Sequence, residues 1–166
     1  MRTLVKFLMT VFCLFSVSCC YGEAGKGKLR KNDRKESSYK TAVLWESLKQ
    51  ATEASQKDGK PICLFFTGSD WCIWCIRMEK QIVGTSEFAS FSRQNLHMVQ
   101  IDFPQSTQLD ESIKQQNRLL KQKYDVSGFP EMVFIDTDGK VLARAGYEPG
   151  GANPFIVKLK KELSIR

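Results

Sequence analysis

The chain has 166 residues, enough for one domain around a single core but not for two. Hydrophobic residues make up 42% and charged residues 26% of the chain, which is ordinary for a globular protein. The formal net charge is +7, yet residues 41–166 hold 16 basic and 15 acidic side chains. Because this larger part is close to neutral, the charge argues against a nucleic-acid-binding role.

Residues 1–22 have the three-part pattern of a secretory signal peptide. Two basic residues precede an apolar run over about residues 7–17, and small residues follow it. The run is too short for a membrane span, so the sequence predicts export. Cleavage before Cys19 fits the small residues there. The letters SVSC also resemble a lipoprotein signal, which leaves lipidation of Cys19 or Cys20 as an alternative.

Residues 23–40 carry seven basic and three acidic residues and almost no large apolar side chains. Such a segment cannot bury enough surface to fold, so it is predicted to be a basic flexible tether. A solvated linker is the simpler interpretation, and attraction to an anionic membrane surface is the alternative. The folded domain is therefore expected over residues 41–166.

The domain is predicted to open with a helix over VLWESLKQATEASQ, with Leu44, Leu48 and Ala51 on one face. KDGKP then breaks the helix. Residues 62–67 form a continuous apolar run of the length of a buried strand. A second helix is expected to begin at Cys72. Its buried side is expected to hold Ile76, Met78, Ile82 and Val83.

The next elements alternate between helix and strand. Thr85 or Ser86 is expected to cap a short helix, and residues 96–103 alternate as a strand does. A helix with a polar face follows over about residues 108–126. Its buried side is expected to hold Leu109, Ile113, Leu120 and Tyr124.

Two strands and a helix close the chain. The strands Met132–Ile135 and Val141–Ala145 are joined by an Asp-Gly turn, and the last helix is expected to start near Pro154. Strands separated by helices, with a final hairpin, predict an α/β fold with a mixed central sheet covered on both faces.

The chemistry is concentrated in the stretch FTGSDWCIWCIRMEK. Cys72 and Cys75 are three residues apart at the predicted start of a helix, where Cβ atoms lie roughly 5–6 Å apart, near the geometry of a disulfide. The N-terminus of a helix favours a thiolate, which is the nucleophile in disulfide exchange. We therefore expect Cys72 to attack a partner disulfide. Cys75, one turn further in, would resolve the mixed disulfide.

Three other interpretations of the pair compete with this one. A permanent disulfide across so short a loop would remove little chain entropy. A zinc site needs four ligands, whereas the single histidine, His97, lies in a predicted strand and Cys63 lies in an apolar run. No metal site is therefore predicted. Chance spacing is the third alternative.

The motif WCIWC, followed about 50 residues later by YDVSGFPEMVFIDTDGK, resembles the thioredoxin superfamily over most of the chain after residue 41. The resemblance implies a thioredoxin-like fold and a redox-active Cys72–Cys75 disulfide in place of any other cofactor. It places Trp71 beside the redox pair and implies a cis peptide before Pro130. It also implies that the backbone of Phe129 pairs with a bound substrate strand.

The middle dipeptide departs from thioredoxin, which has Gly-Pro between its cysteines. Ile73 and Trp74 carry no charge that would strongly stabilise the Cys72 thiolate. A less stabilised reduced form makes a weaker oxidant, so the protein is expected to act mainly as a reductase. The alternatives are an oxidase on the same fold and a non-catalytic binding or chaperone-like module.

A second departure concerns the proton of Cys75. Thioredoxin has a buried aspartate on the strand before the motif, whereas the strand here reads ICLFFT and has no acid. Asp70 and Glu79 are near in sequence but are expected to face solvent. The route by which Cys75 loses its proton is therefore left open, with a water-mediated route as one candidate.

The remaining residues of note are expected to be mainly structural. Cys63 is predicted to be an inert apolar side chain, with a regulatory thiol as the alternative. His97 is expected to be a strand residue and Trp45 a core residue. Trp71 and Trp74 are expected to form an apolar rim where extended partners dock, with local packing as the alternative.

The resemblance also sets expectations about partners. Oxidised protein thiols would be the substrates, a membrane protein would donate electrons, and the location would be the periplasm. Contact with the membrane is expected only through lipidation or the basic tether. The protein is expected to be a monomer.

Overall fold

The computed structural model of the protein describes residues 42–165. The predicted signal peptide, residues 1–22, and the predicted tether, residues 23–40, lie outside the described residues. No helix within 42–165 is long and apolar enough to cross a bilayer. The elements in chain order are α1 Leu48–Asp58, β1 Ile62–Thr67, α2 Ile73–Met78, α3 Ser86–Asn95, β2 His97–Asp102, α4 Glu111–Lys123, β3 Glu131–Ile135, β4 Val141–Gly146 and α5 Ala152–Glu162.

The four strands form one mixed sheet in the order β2-β1-β3-β4. β1 runs parallel to β2 and antiparallel to β3, and β4 pairs antiparallel with β3. In this register Cys63 lies between Met98 on β2 and Phe134 on β3. The expected α/β fold with a mixed central sheet is confirmed.

Two hydrophobic layers explain why β1 is apolar at every position but its last. Cys63 and Phe65 point into one layer, where they meet α2, α3 and α5. Ile62, Leu64 and Phe66 point into the other layer, against α1 and α4. Because helices cover both faces, alternate residues of this central strand are equally buried, and the sequence shows a continuous apolar run instead of alternation.

The first helix begins later than the sequence indicates. Ser47 is its N-cap and forms a capping box with Gln50, so the helix starts at Leu48. The prediction that Leu44 lies on its buried face was wrong, since Leu44 is 63% exposed. Residues 45–46 instead run beside β2, where Trp45 bridges to Met98. Trp45 stacks on Phe65 and is half-buried, so it packs at the edge of the core.

Two further expectations of buried residues were wrong for a different reason. Ile76 is 44% exposed and Ile113 is 41% exposed. A single helix turn can place a residue at the boundary of the apolar face, and the sheet covers only the centre of that face. On α4 the sheet side holds Asn117, whose side-chain amide donates to the carbonyl of Asp102 at 2.8 Å, together with Leu120.

Helix ends follow the local sequence closely. Thr85 caps α3 through its side-chain oxygen, as expected. The second helix continues beyond Met78 as a π-helical turn, Glu79–Val83, and ends at Gly84. The last helix begins at Ala152, two residues before the predicted start. Pro154 lies in its first turn, where no intrahelical donor is needed.

Candidate active site

The disulfide Cys72–Cys75 sits at the C-terminal end of the central strand, where the chain turns from β1 into α2. Cys72 is the N-cap of the helix, with extended backbone angles of φ −82° and ψ 107°. Its Sγ accepts the backbone N–H of Cys75 at a distance of 3.2 Å. The two Cα atoms are 5.2 Å apart, within the usual range for a disulfide. The sulfur of Cys72 thus occupies the place of a capping oxygen.

The two sulfurs differ in their surroundings. Cys72 is 7% exposed and Cys75 is 1% exposed. The Sγ of Cys75 also accepts the backbone N–H of Gly68 at 3.4 Å, from the loop that leaves β1. Of the two, only Cys72 borders the groove described below, whereas Cys75 lies behind it.

The loop before β3 lies against Cys72. The Phe129–Pro130 peptide bond is cis. The carbonyl oxygen of Phe129 is 3.7 Å from the Sγ of Cys72. Residues 57 positions apart in the chain are therefore brought together at one end of the sheet. The carbonyl of Phe129 thus lies beside the sulfur, and the cis bond to Pro130 follows directly.

Trp71 meets three separate loop segments and yet remains exposed. Its indole N–H donates to the carbonyl of Phe103 at 2.8 Å, and its ring meets Phe129 edge to face at 6.1 Å. Gly68 makes room for the ring, because a Cβ atom there would come within 2.5 Å of it. These contacts fix the direction of Trp71 beside the disulfide.

Trp74 has neighbours that the sequence analysis did not identify. The guanidinium of Arg77 lies 4.6 Å from the centre of the Trp74 ring, and the Tyr147 ring lies 5.7 Å from it. The Tyr147 hydroxyl contacts the side chain of Gln81 at 2.7 Å. The spacing of Trp74 and Arg77 at i and i+3 could have indicated the first contact. Nothing local in the sequence indicates the second, because Tyr147 follows β4.

A groove borders the exposed side of the disulfide. It encloses about 450 Å³ and is lined by Trp71 to Trp74, by Lys121 on α4 and by residues 127–129. The Lys121 amine lies 5.9 Å from the centre of the Phe129 ring. Four of the predicted neighbours of the redox pair, Trp71, Ile73, Trp74 and Phe129, line this groove with Cys72, and the fifth, Pro130, follows Phe129 in the chain.

Backbone amides hold the loop between β1 and α2 in place. The Asp70 carboxylate accepts the N–H groups of Gln105 and Ser106, which lower the pKa of Asp70. The Asp102 carboxylate accepts the backbone N–H and the hydroxyl of Ser69. Two carboxylates thus join the active-site loop to the segment after β2.

The two carboxylates near the motif have different positions. Asp70 is exposed, as predicted. Glu79 is exposed as well, as predicted, and it also lines a cavity together with Cys75, where partial burial raises the pKa of its carboxyl. A helix position four residues after Cys75 could have indicated this, since such residues share a face.

The remaining chemically active side chains lie elsewhere. Cys63 is a free, buried thiol in the middle of β1, and burial raises its pKa. His97 begins β2 at the opposite end of the sheet, with its two ring nitrogens 2.9 Å from Glu46 and 3.1 Å from Asp58. Within residues 42–165 no group of three histidine, cysteine or acidic side chains could hold a metal ion.

Comparison with known proteins agrees with this geometry. A family model for a thioredoxin-like domain matches residues 48–154. The chain belongs to the thioredoxin-like family. It is 55% identical over 124 residues to disulfide bond reductase DsbH of Chlamydia pneumoniae, covering 75% of each chain. A thioredoxin-related protein of the same organism, DsbJ, is 24% identical over 106 residues, 63% of this chain and 30% of DsbJ.

A solved structure of DsbH oxidoreductase has the same fold. It matches with a TM-score of 0.75 and 46% identity, covering 87% of this chain and 96% of that one. The expectation of a thioredoxin-like, DsbH-like protein with thiol:disulfide oxidoreductase chemistry is thereby confirmed. The roles of individual residues in this thioredoxin-like domain stay predictions.

Proposed function

We propose that the protein is an exported thiol:disulfide oxidoreductase that mainly reduces disulfides in other proteins. The observation that carries this proposal is the position of Cys72. Its sulfur is at the tip of a helix, receives a backbone N–H and borders an open groove, while Cys75 lies behind it. A thiolate that is stabilised and reachable is what the first step of disulfide exchange requires.

The reaction has two steps on these two residues. In the reduced protein the Cys72 thiolate attacks one sulfur of a substrate disulfide, and the other substrate sulfur leaves as a thiolate. Cys75 then attacks Cys72 in the mixed disulfide, which releases the reduced substrate and closes the Cys72–Cys75 bond. An extended substrate segment would lie in the groove beside the backbone of Phe129 and Pro130, between Trp71 and Trp74.

Two observations support the reducing direction. Among residues 42–165 no lysine, arginine or histidine side chain donates a hydrogen bond to either sulfur. The Cys72 thiolate therefore rests on backbone N–H groups and the helix terminus, and the reduced form is stabilised less than in strong oxidants. The relative DsbH is named a disulfide bond reductase. We expect a potential nearer about −270 mV than about −120 mV.

Location and partners follow from the same proposal. The predicted signal peptide would export the protein to the periplasm, where lipidation at Cys19 or Cys20 or the basic tether would keep it near the membrane. Oxidised proteins would be its substrates, and a membrane protein would return electrons to the Cys72–Cys75 disulfide. The protein would act as a monomer that uses no other cofactor and binds no nucleic acid.

Reduction of insulin in the presence of dithiothreitol tests the proposal. We expect activity well above the dithiothreitol background in the wild-type protein and in the Cys63→Ala control, and background activity in Cys72→Ser. Full activity in Cys72→Ser would overturn the proposal. Equilibration with glutathione tests the direction, because a protein that stays largely reduced at modest glutathione levels would be an oxidase instead.

A further inference from the structure

A second cavity lies against Cys75 and shares no lining residue with the substrate groove. It encloses about 300 Å³. Its polar lining consists of Thr67 from the end of β1, Ser69 from the loop after it, Gln100 from β2, and Glu79 and Lys80 from the π-helical turn. The groove thus reaches the attacking sulfur, and this cavity reaches the resolving sulfur.

Glu79 is positioned in this cavity by the helix itself. It follows Cys75 by four residues, so the two side chains share one helix face. The backbone N–H of Glu79 donates to the carbonyl of Cys75, which continues the helix between them. Gly84 packs closely on the backbone of this turn, since a Cβ atom there would come within 2.9 Å of the Glu79 carbonyl.

The Glu79 carboxylate has no hydrogen-bond or ion-pair partner among residues 42–165. Lys80 lines the same cavity without pairing with it, and Asp102 approaches the rim through its bonds to Ser69. Burial raises the pKa of Glu79 above its ordinary value. A carboxylate that is partly desolvated and not paired holds a proton more strongly than a solvated one does.

Other groups near Cys75 are poor proton acceptors. The Asp70 carboxylate accepts backbone N–H groups of Gln105 and Ser106, which lower its pKa. Lys80 is a cation at neutral pH. Strand β1 carries no acidic residue, so it supplies no carboxylate to Cys75.

We propose that Glu79 accepts the proton of Cys75 through water in this cavity and thereby activates the resolving cysteine. The proposal rests on the proposed function, because it concerns the second step of the exchange. The Cys75 thiol gives its proton through water to the Glu79 carboxylate. The Cys75 thiolate then forms a bond to the sulfur of Cys72, and the bond between Cys72 and the substrate sulfur breaks.

The electron pair of that broken bond leaves on the substrate sulfur, which takes up a proton from solvent. Glu79 afterwards returns its own proton to solvent through the open side of the cavity. The substrate gains two electrons, and the two protein thiols lose them as they form the disulfide. No further reductant is needed in this half of the cycle.

The test is the rate at which the mixed disulfide is resolved, measured over pH 5–9 after rapid mixing of the reduced protein with a model disulfide. We expect Glu79→Gln to slow this step about 100-fold at pH 7. The deficit should shrink as the pH rises, because hydroxide takes over the proton. Glu79→Asp should restore most of the rate, and the control Glu87→Gln, on α3 outside this cavity, should match the wild type.

Equal rates for Glu79→Gln and the wild type at every pH would overturn the proposal. A deficit that is the same at every pH and is not rescued by Glu79→Asp would also overturn it, since a packing defect would behave in that way. If Glu79→Gln does not fold, NMR titration of the unmodified reduced protein decides. Coupled titration of the Cys75 Cβ and Glu79 Cδ signals supports the proposal, and independent curves contradict it.

The outcomes for this proposal and for the proposed function are distinct. Loss of insulin reduction in Cys72→Ser with unchanged kinetics in Glu79→Gln would leave the reductase intact and remove only the role of Glu79. Retained activity in Cys72→Ser would remove both.

Discussion

The polar groups near the two ends of β1 differ in whether their hydrogen-bonding capacity is filled. At its start, next to Ile62, the ring of His97 has both nitrogens within hydrogen-bond distance of carboxylates, Glu46 at 2.9 Å and Asp58 at 3.1 Å. At its other end, roughly 16 Å along the strand, Cys72 borders an open groove and Glu79 has no described partner.

The difference separates the polar groups that stabilise this fold from the polar groups that can react with a substrate. A buried polar group whose bonding capacity is filled contributes to stability and has nothing left to offer a substrate. A group that is held in position but has bonding capacity left unfilled by the protein can react. By this criterion His97 belongs to the scaffold and Cys72 to the chemistry.

The largest expected effect is on activity, at the end of β1 next to the redox pair. Cys75→Ser should lower the insulin-reduction rate on the order of 100-fold and leave a mixed disulfide on Cys72, because the attacking step survives while the resolving step is lost. Mass spectrometry of the trapped complex checks this, with Cys63→Ala as the control. A trap that forms only through Cys63 would contradict the assignment of roles.

A smaller effect is expected at the other end of β1, next to His97, and it should concern stability alone. His97→Ala removes the partner that two carboxylates share, so the free energy of unfolding should fall by about 1–3 kcal/mol. Chemical denaturation measures the loss. Glu53→Gln, on the exposed face of α1, should change stability by less than about 0.5 kcal/mol. A loss of insulin reduction in folded His97→Ala would break the separation between the two ends.

The smallest effect concerns Asp58 and depends on pH. Burial alone would raise its pKa, but hydrogen bonds from Lys60 and His97 lower it to about 2 from 3.8. A depressed pKa contributes stability above about pH 4 that is lost as the pH falls through 2. Because the Asp58 side chain is 37% exposed, we expect at most ~1 kcal/mol.

The Asp58→Asn variant measures that contribution. Its free energy of unfolding should lie below that of the wild type by up to ~1 kcal/mol at pH 6, and the two should converge near pH 2. Equal pH profiles for the two proteins would show that the Asp58 carboxylate adds nothing to the free energy of unfolding.

Local patterns were enough to predict most of the fold. The apolar run ICLFFT coincides with β1, and Thr85 caps α3, because both features depend on neighbouring residues alone. The start of α1 was misjudged because Trp45 bridges to Met98, a contact across more than 50 residues. Periodicity continued a helical pattern into a segment that tertiary pairing holds extended.

The candidate site divides in the same way. The redox pair is visible in the sequence because its spacing and its place after a buried strand are local features. The contacts of Trp74 with Tyr147 and of Trp71 with Phe103 join segments that are distant in the chain, so no local pattern predicts them. The cavity that Glu79 shares with Cys75 also needs residues of β1 and β2, so the i+4 spacing alone does not reveal it.

The central claim is that Cys72 is the accessible, reactive thiol of the folded protein. Its most direct test is differential alkylation of the reduced protein at pH 7, followed by mass spectrometry. The account predicts that Cys72 is labelled first and Cys75 much more slowly, while the buried Cys63 is labelled only after unfolding. Labelling of Cys63 or Cys75 ahead of Cys72 in the folded protein would contradict it.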